Sequence, residues 1–416
     1  MSVSATLAAN EAVIRRRQAG ESVLPMGFGE AGLPVHISMT AKLAEHAGRN
    51  GYGPVAGAAE LREAAAGYWN RRGLATDPDD VVAGPGSKPL LFALMSAIGG
   101  DVALPQPSWV SYAAQAELAG GKALHVPTPP GQGGVPDPDR LEAYLDQARS
   151  LGRDVRAVVM TLPDNPTGTL ASAETVRRAA QVAVDYDLTI ICDQIYRDLT
   201  FDSVREYADP ATYAPERTVI TTGLSKNLAL GGWRVGVARL PGSHQGRLLR
   251  DRLLNVASEV WSSAPQPMQH AAAYAFGEPI ELTERIEASR RLHAAVARAA
   301  AERFRAADAV VAEPQGGFYI YPDLAAHRDL FDVKYSVRTG AELSELLMTR
   351  YGVGVLPGSV FGDGVKELRL RVAVSQLYGE TDEQRCAALA SHDPTQLPWI
   401  AESLDRLEEV LTDLTS

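Results

Sequence analysis

The feature that most constrains this chain is a repeated unit: a short apolar or β-branched run, a break at Gly, Pro, Asn or Asp, and then a helical stretch. The stretches VVAGPG from Val81, DVALPQP from Asp101, RAVVMTLPDNPTG from Arg156, LTIICD from Leu188 and TVITTG from Thr218 all start such units. Runs without polar alternation are strands buried on both faces, and the helices between most of them are the crossovers that parallel strands require. The expectation is an α/β fold with a mostly parallel sheet. In an open sheet of this kind, residues just past the carboxyl ends of the strands converge on one crevice. Ser87, Trp109, Asn165, Asp193 and Lys226 each follow such a run, so side chains of very different chemistry are expected to meet there.

The segment RTVITTGLSKNLALGGWRVG, Arg217 to Gly236, is the most specific of these. Its strand is broken by Gly223, so Lys226 stands just past a strand end, and Arg234 follows the flexible Gly231-Gly232 pair. A lysine amine becomes a useful nucleophile when burial or a nearby cation lowers its pKa, and an aldehyde cofactor with a phosphate tail would use both the amine and the guanidinium. Gly86, Ser87 and Lys88 open a strongly apolar helix, whose free N–H groups and dipole favour a phosphate. Asp193, directly after Ile190, Ile191 and Cys192, is a carboxylate at the end of a buried strand and needs a partner, because burying an unpaired charge is expensive. In ELRLRVAVS, Arg369 and Arg371 alternate with apolar residues and so point to one face of a strand.

Composition sets the outer bounds. At 416 residues, with 45% hydrophobic and 22% charged residues, the chain has material for two cores. Its net charge of −11 argues against a nucleic-acid partner, and no apolar run approaches a membrane span. The first residues lack the apolar stretch and cleavage site of a secretion signal, and Cys192 and Cys386 lie far apart with no Cys/His cluster. The expectation is a cytoplasmic protein without a disulfide framework or a metal site.

The Lys226 segment, with its SK, short loop and GxRxG pattern, resembles the Schiff-base lysine region of the class I/II pyridoxal-phosphate aminotransferases of the aspartate aminotransferase fold. The resemblance runs from about Gly27 to Ser375. It implies the PLP-dependent transferase fold (fold type I), a large cofactor domain plus a smaller α/β domain, and pyridoxal 5'-phosphate as cofactor. On this reading Lys226, preceded by Ser225, forms the Schiff base, Arg234 holds the phosphate, and Gly86, Ser87 and Lys88 lie around it. Trp109, in a PxPxWVxY pattern, stacks on the pyridine, and Asn165 of NPTG bonds the ring oxygen. Asp193 partners the pyridine nitrogen, and Tyr196 donates to the ring oxygen. Gly29 belongs to the loop that meets the substrate, and Arg369 grips the α-carboxylate, with Asn165 beside it. Tyr52 would reach across a homodimer interface to the partner's cofactor phosphate.

Four departures from the family pattern stand out. Gly223 replaces the Ser or Thr common three places before the lysine, the GEPD loop reads GEAG, and Gln194 replaces Glu after Asp193. Arg371 occupies a place where a small residue is usual; solvent exposure is preferred for it over pairing with an acid or binding a second anion. Gly316-Gly317-Phe318-Tyr319 is read as a packing and turn segment. The implied reaction is ping-pong transamination between an L-amino acid and a 2-oxo acid. The motifs leave open a lyase, decarboxylase or oxidase outcome on the same cofactor, and a ligand-sensing regulator is the rival from another class. The expected domains are 1–45, an N-terminal segment belonging to the small domain; 46–295, the cofactor domain; and 296–416, the small domain.

Overall fold

The computed structural model describes residues 5–201 and 207–416. The described chain opens with the helix Ala5–Gln18. Twelve strands follow in chain order. They are β1 (Leu24–Pro25), β2 (Val81–Gly84), β3 (Asp101–Gln106), β4 (Ala123–Pro127), β5 (Val155–Thr161), β6 (Thr189–Asp193), β7 (Thr218–Gly223), β8 (Gly236–Arg239), β9 (Tyr319–Ile320), β10 (Val353–Gly354), β11 (Leu356–Pro357) and β12 (Leu370–Ala373).

A seven-stranded sheet in the order β2-β8-β7-β6-β5-β3-β4 forms the centre of the molecule. All its pairings are parallel except those of β8, which runs antiparallel to both β2 and β7. The runs in β2 and β7 are buried at every position, as strands covered by helices on both faces must be. The helix Ser87–Ile98 packs on one side with the helix His244–Val260, and the helix Ala173–Asp185 covers the other. The carboxyl ends of β3, β5, β6 and β7 therefore open on one edge.

A second core forms around β12, which pairs antiparallel with β9 and β11. The 27-residue helix Ile280–Ala306 joins the two: Leu282 lies in the first core, and Leu292, Val296 and Phe304 lie in the second. The N-terminal segment is tied to the second core through β1, which pairs parallel with β10. The helix Ile37–His46 instead buries Met39 in the first core, so the chain crosses over ahead of that helix rather than at residue 45.

Candidate active site

The strand ends and the second core enclose a cavity of about 440 Å³, within the range of small-molecule sites. At its floor, Asp193 ends β6 and is 3% exposed. It accepts hydrogen bonds from the Tyr112 hydroxyl at 2.9 Å, the Ile195 N–H at 3.2 Å and the Thr221 hydroxyl at 3.4 Å. No cation pairs with it among the described residues. Burial raises its pKa to about 6, against the pull of these donors.

Lys226 follows the end of β7 and lines the same cavity, with Ser225 beside it. Its Nζ donates to the Gly29 carbonyl at 2.5 Å. Burial lowers its pKa to about 8; Glu30 pulls it back up, while Arg371 and Arg234 push it further down. Gly223 is accounted for by packing: a Cβ there would run into the Val235 carbonyl and Gly236 of the neighbouring β8. The side chain that many relatives place at this point has no room here.

The phosphate corner is built from backbone as much as from charge. Gly86 caps the helix Ser87–Ile98 with φ 98°, and any Cβ on it would collide with the Arg234 guanidinium. Arg234 itself takes a left-handed φ of 53° and donates to the Gly231 carbonyl at 2.8 Å. Lys88 sits 4.9 Å from the Trp109 ring centre, and burial together with Arg234 lowers its pKa. Neither cation has a carboxylate partner among the described residues. Two unpaired cations, a hydroxyl and a free helix N-terminus make a fitting cradle for a phosphate group.

At the opposite end the structure places the two arginines apart. Arg371 lines the cavity, 1% exposed, and donates to the Asn165 side-chain oxygen at 3.1 Å and the Gly27 carbonyl at 2.6 Å. Its Nε has no partner and burial lowers its pKa. Arg369, expected to hold the substrate carboxylate, lies outside the cavity and donates instead to Asp323 at 2.9 Å and Asp363 at 3.4 Å. Both sit on one face of the strand, but successive same-face positions are about 7 Å apart and only the second reaches the cavity. Arg371 is thus buried and, among the described residues, has no acidic partner.

Of the remaining expected residues, Ser87, Lys88, Trp109, Asn165, Tyr196 and Gly29 line the cavity, while Gly86 lies behind Arg234. Tyr52 does not line its own chain's cavity and is 94% exposed. Gln194 faces away from the cavity and donates to Asp209 at 2.6 Å, as a structural tie beneath the floor. Sequence reasoning missed Tyr112, Thr161 and Glu30, and gave Tyr319 only a packing role although it lines the cavity. Tyr112 lies in the WVSY stretch one helical turn past Trp109, a spacing that could have flagged it.

The sequence profile of the family described as Aminotransferase class I and II matches residues 24–389. The aspartate/prephenate aminotransferase of Thermus thermophilus is 30% identical over 382 residues, covering 90% of this chain and 93% of that relative. The aromatic-amino-acid aminotransferase 2 of Thermococcus litoralis is 28% identical over 401 residues, covering 94% and 92%. Among solved structures, aspartate aminotransferase from Thermus thermophilus with maleate superposes with a TM-score of 0.81 at 27% identity, covering 99% of this chain and 97% of that one.

Proposed function

This chain belongs to aminotransferase class I and II and is a pyridoxal-phosphate-dependent enzyme that moves an amino group between an amino acid and a 2-oxo acid; on that premise we propose that Lys226, Asp193 and Arg371 carry its chemistry. The observation behind this reading is one cavity that joins an amine of pKa about 8 with a buried carboxylate that has no cation, and a buried guanidinium that has no carboxylate, among the described residues. When bound, pyridoxal phosphate supplies an aldehyde that takes the amino group and a ring that draws electrons from the α-carbon. Ser87, Lys88 and Arg234 hold its phosphate, and Trp109 covers the ring. Asp193 holds the proton on the ring nitrogen, a cation that matches the missing partner of this carboxylate. Arg371 binds the substrate α-carboxylate through its planar fork, with Asn165 fixing the guanidinium. Lys226 Nζ takes the α-proton of the amino acid and returns it in the opposite direction of the exchange; its lowered pKa keeps neutral amine available near neutral pH.

The test is the visible spectrum of the holoenzyme during single additions of amino acids without an oxo acid, compared between the parent and Lys226→Ala. The parent is expected to convert its cofactor to the aminated form with stoichiometric release of oxo acid. The variant is expected to lose turnover by at least on the order of 10⁴-fold. A variant that turns over at parental rate removes Lys226 from this role.

The same reading includes a cytoplasmic homodimer with shared sites. Exposed Tyr52, missing from its own cavity, supports it, and no helix among the described residues is long and apolar enough to cross a membrane. Mixing Tyr52→Phe with Lys226→Ala subunits tests the sharing. Hybrid dimers then hold one site with both native residues, so activity is expected to exceed the sum of the two parents; strict additivity places Tyr52 outside the partner's site.

A further inference from the structure

Tyr319 stands where three parts of the cavity meet. It lies in β9, opposite Ala373 of β12, and is buried. Its hydroxyl is 2.8 Å from that of Tyr196, and the two rings meet edge to face at 5.6 Å. On its other side the Arg371 guanidinium lies 4.8 Å from the ring centre. The hydroxyl also lies so close to Gly29 that a Cβ there would overlap it, and the Gly29 carbonyl is the group to which Lys226 donates.

Two hydroxyls in contact have one proton between them, and the other proton is free to point elsewhere. Burial raises both phenols, and the Arg371 guanidinium, whose centre lies 4.8 Å from the Tyr319 ring centre, favours loss of the Tyr319 proton and so makes that hydroxyl the stronger donor. The more acidic hydroxyl is the better donor, so Tyr319 donates to the Tyr196 oxygen. That leaves the Tyr196 proton free to face the cavity, on whose wall Tyr196 lies with Lys226 and Asp193.

We propose that Tyr319 is a positioning residue that turns the hydroxyl proton of Tyr196 toward the ring oxygen of the cofactor. The proposal rests on the reading that Lys226 carries pyridoxal phosphate with Tyr196 beside it. A proton donated to the ring oxygen favours the deprotonated form of the Lys226–cofactor link, because it stabilises the negative oxygen.

The experiment is a pH titration of the visible absorbance of the holoenzyme. Tyr319→Phe keeps the ring against Arg371 and removes only the hydroxyl; its midpoint is expected to rise by on the order of half a pH unit to one unit. Tyr196→Phe is expected to rise further. The double variant is expected to match Tyr196→Phe alone, because Tyr319 acts only through Tyr196. The other charged groups around Lys226, namely Glu30, Arg371, Arg234 and Asp193, are the same in every variant. An unmoved midpoint in Tyr319→Phe, or shifts that add in the double variant, overturns the proposal. A parent that forms no pH-dependent band with pyridoxal phosphate overturns the Lys226 reading itself, and the proposal with it.

Discussion

Two arginines, one just before β12 and one inside it, meet opposite surroundings. Arg369 is 37% exposed and has Asp323, Asp363 and Glu367 within 2.9, 3.4 and 3.9 Å. Burial would lower its pKa, but the bond to Asp323 and the charge of the other acids raise it above the ordinary value. Arg371, two residues on, is buried among carbonyls and aromatic rings, with no carboxylate partner among the described residues. A charge surrounded by its counter-ions is structural, and such pairs contribute little. A charge buried without one is expensive and is kept where a ligand completes it. Asp193 is the mirror case on the cofactor side of the cavity, a buried carboxylate held only by neutral donors.

The strongest way to break this contrast is to remove each arginine in turn. Arg371→Leu loses two charge-assisted hydrogen bonds to the substrate carboxylate, so kcat/KM is expected to fall on the order of 10²- to 10³-fold. Arg369→Leu is expected to change it by less than about threefold. Steady-state kinetics with the best amino donor decides, and a larger loss in Arg369→Leu would reverse the assignment.

Asp193 sharpens the contrast through stability. Its folded pKa is about 6 against an ordinary value of 3.8, so the folded apoprotein binds more protons than the unfolded chain between these values. Stability from this group is therefore lost as pH rises through that window. Asp193→Asn removes the penalty, and the cofactor-free variant is expected to be more stable than the parent above about pH 6 by about 3 kcal/mol, converging with it below about pH 4. Urea titrations of the apoprotein across that range measure this, and the variant is expected to release pyridoxal phosphate more readily. Equal stability at all pH values would mean that Asp193 finds its counter-charge within the protein. The smallest effect is at Arg369, where Arg369→Leu is expected to cost about 1 kcal/mol in the same titrations, reduced further by salt.

Much of this site can be read along the chain because each group follows a strand that has no polar alternation. Asp193 after Ile190-Ile191-Cys192 and Lys226 after the β7 run are local statements: a buried strand must end at the sheet edge, and the next polar residue faces the crevice. Arg369, just before β12, and Arg371, within it, show where that logic stops. Alternation puts Arg369 and Arg371 on one face, yet which of the two overhangs the cavity depends on how β12 is placed between β9 and β11, and on Asp323 and Asp363 arriving from other segments. Tyr319 was hidden for the same reason, since an aromatic residue in a short strand looks like core until its hydroxyl is found against that of Tyr196.

The sequence by itself determined the α/β class, the units that begin with β2, β3, β5, β6 and β7, the lysine, the carboxylate and the glycine-led helix start, because these depend on periodicity and on interactions between near neighbours. Only the tertiary structure decided which arginine lines the cavity, why Gly223 admits no side chain, that Gln194 bonds Asp209 beneath the floor, and that Tyr319 lies between Arg371 and Tyr196. Each of these turns on contacts between residues far apart in the chain, and burial and pairing, which set the energy of a charge, exist only once those contacts form.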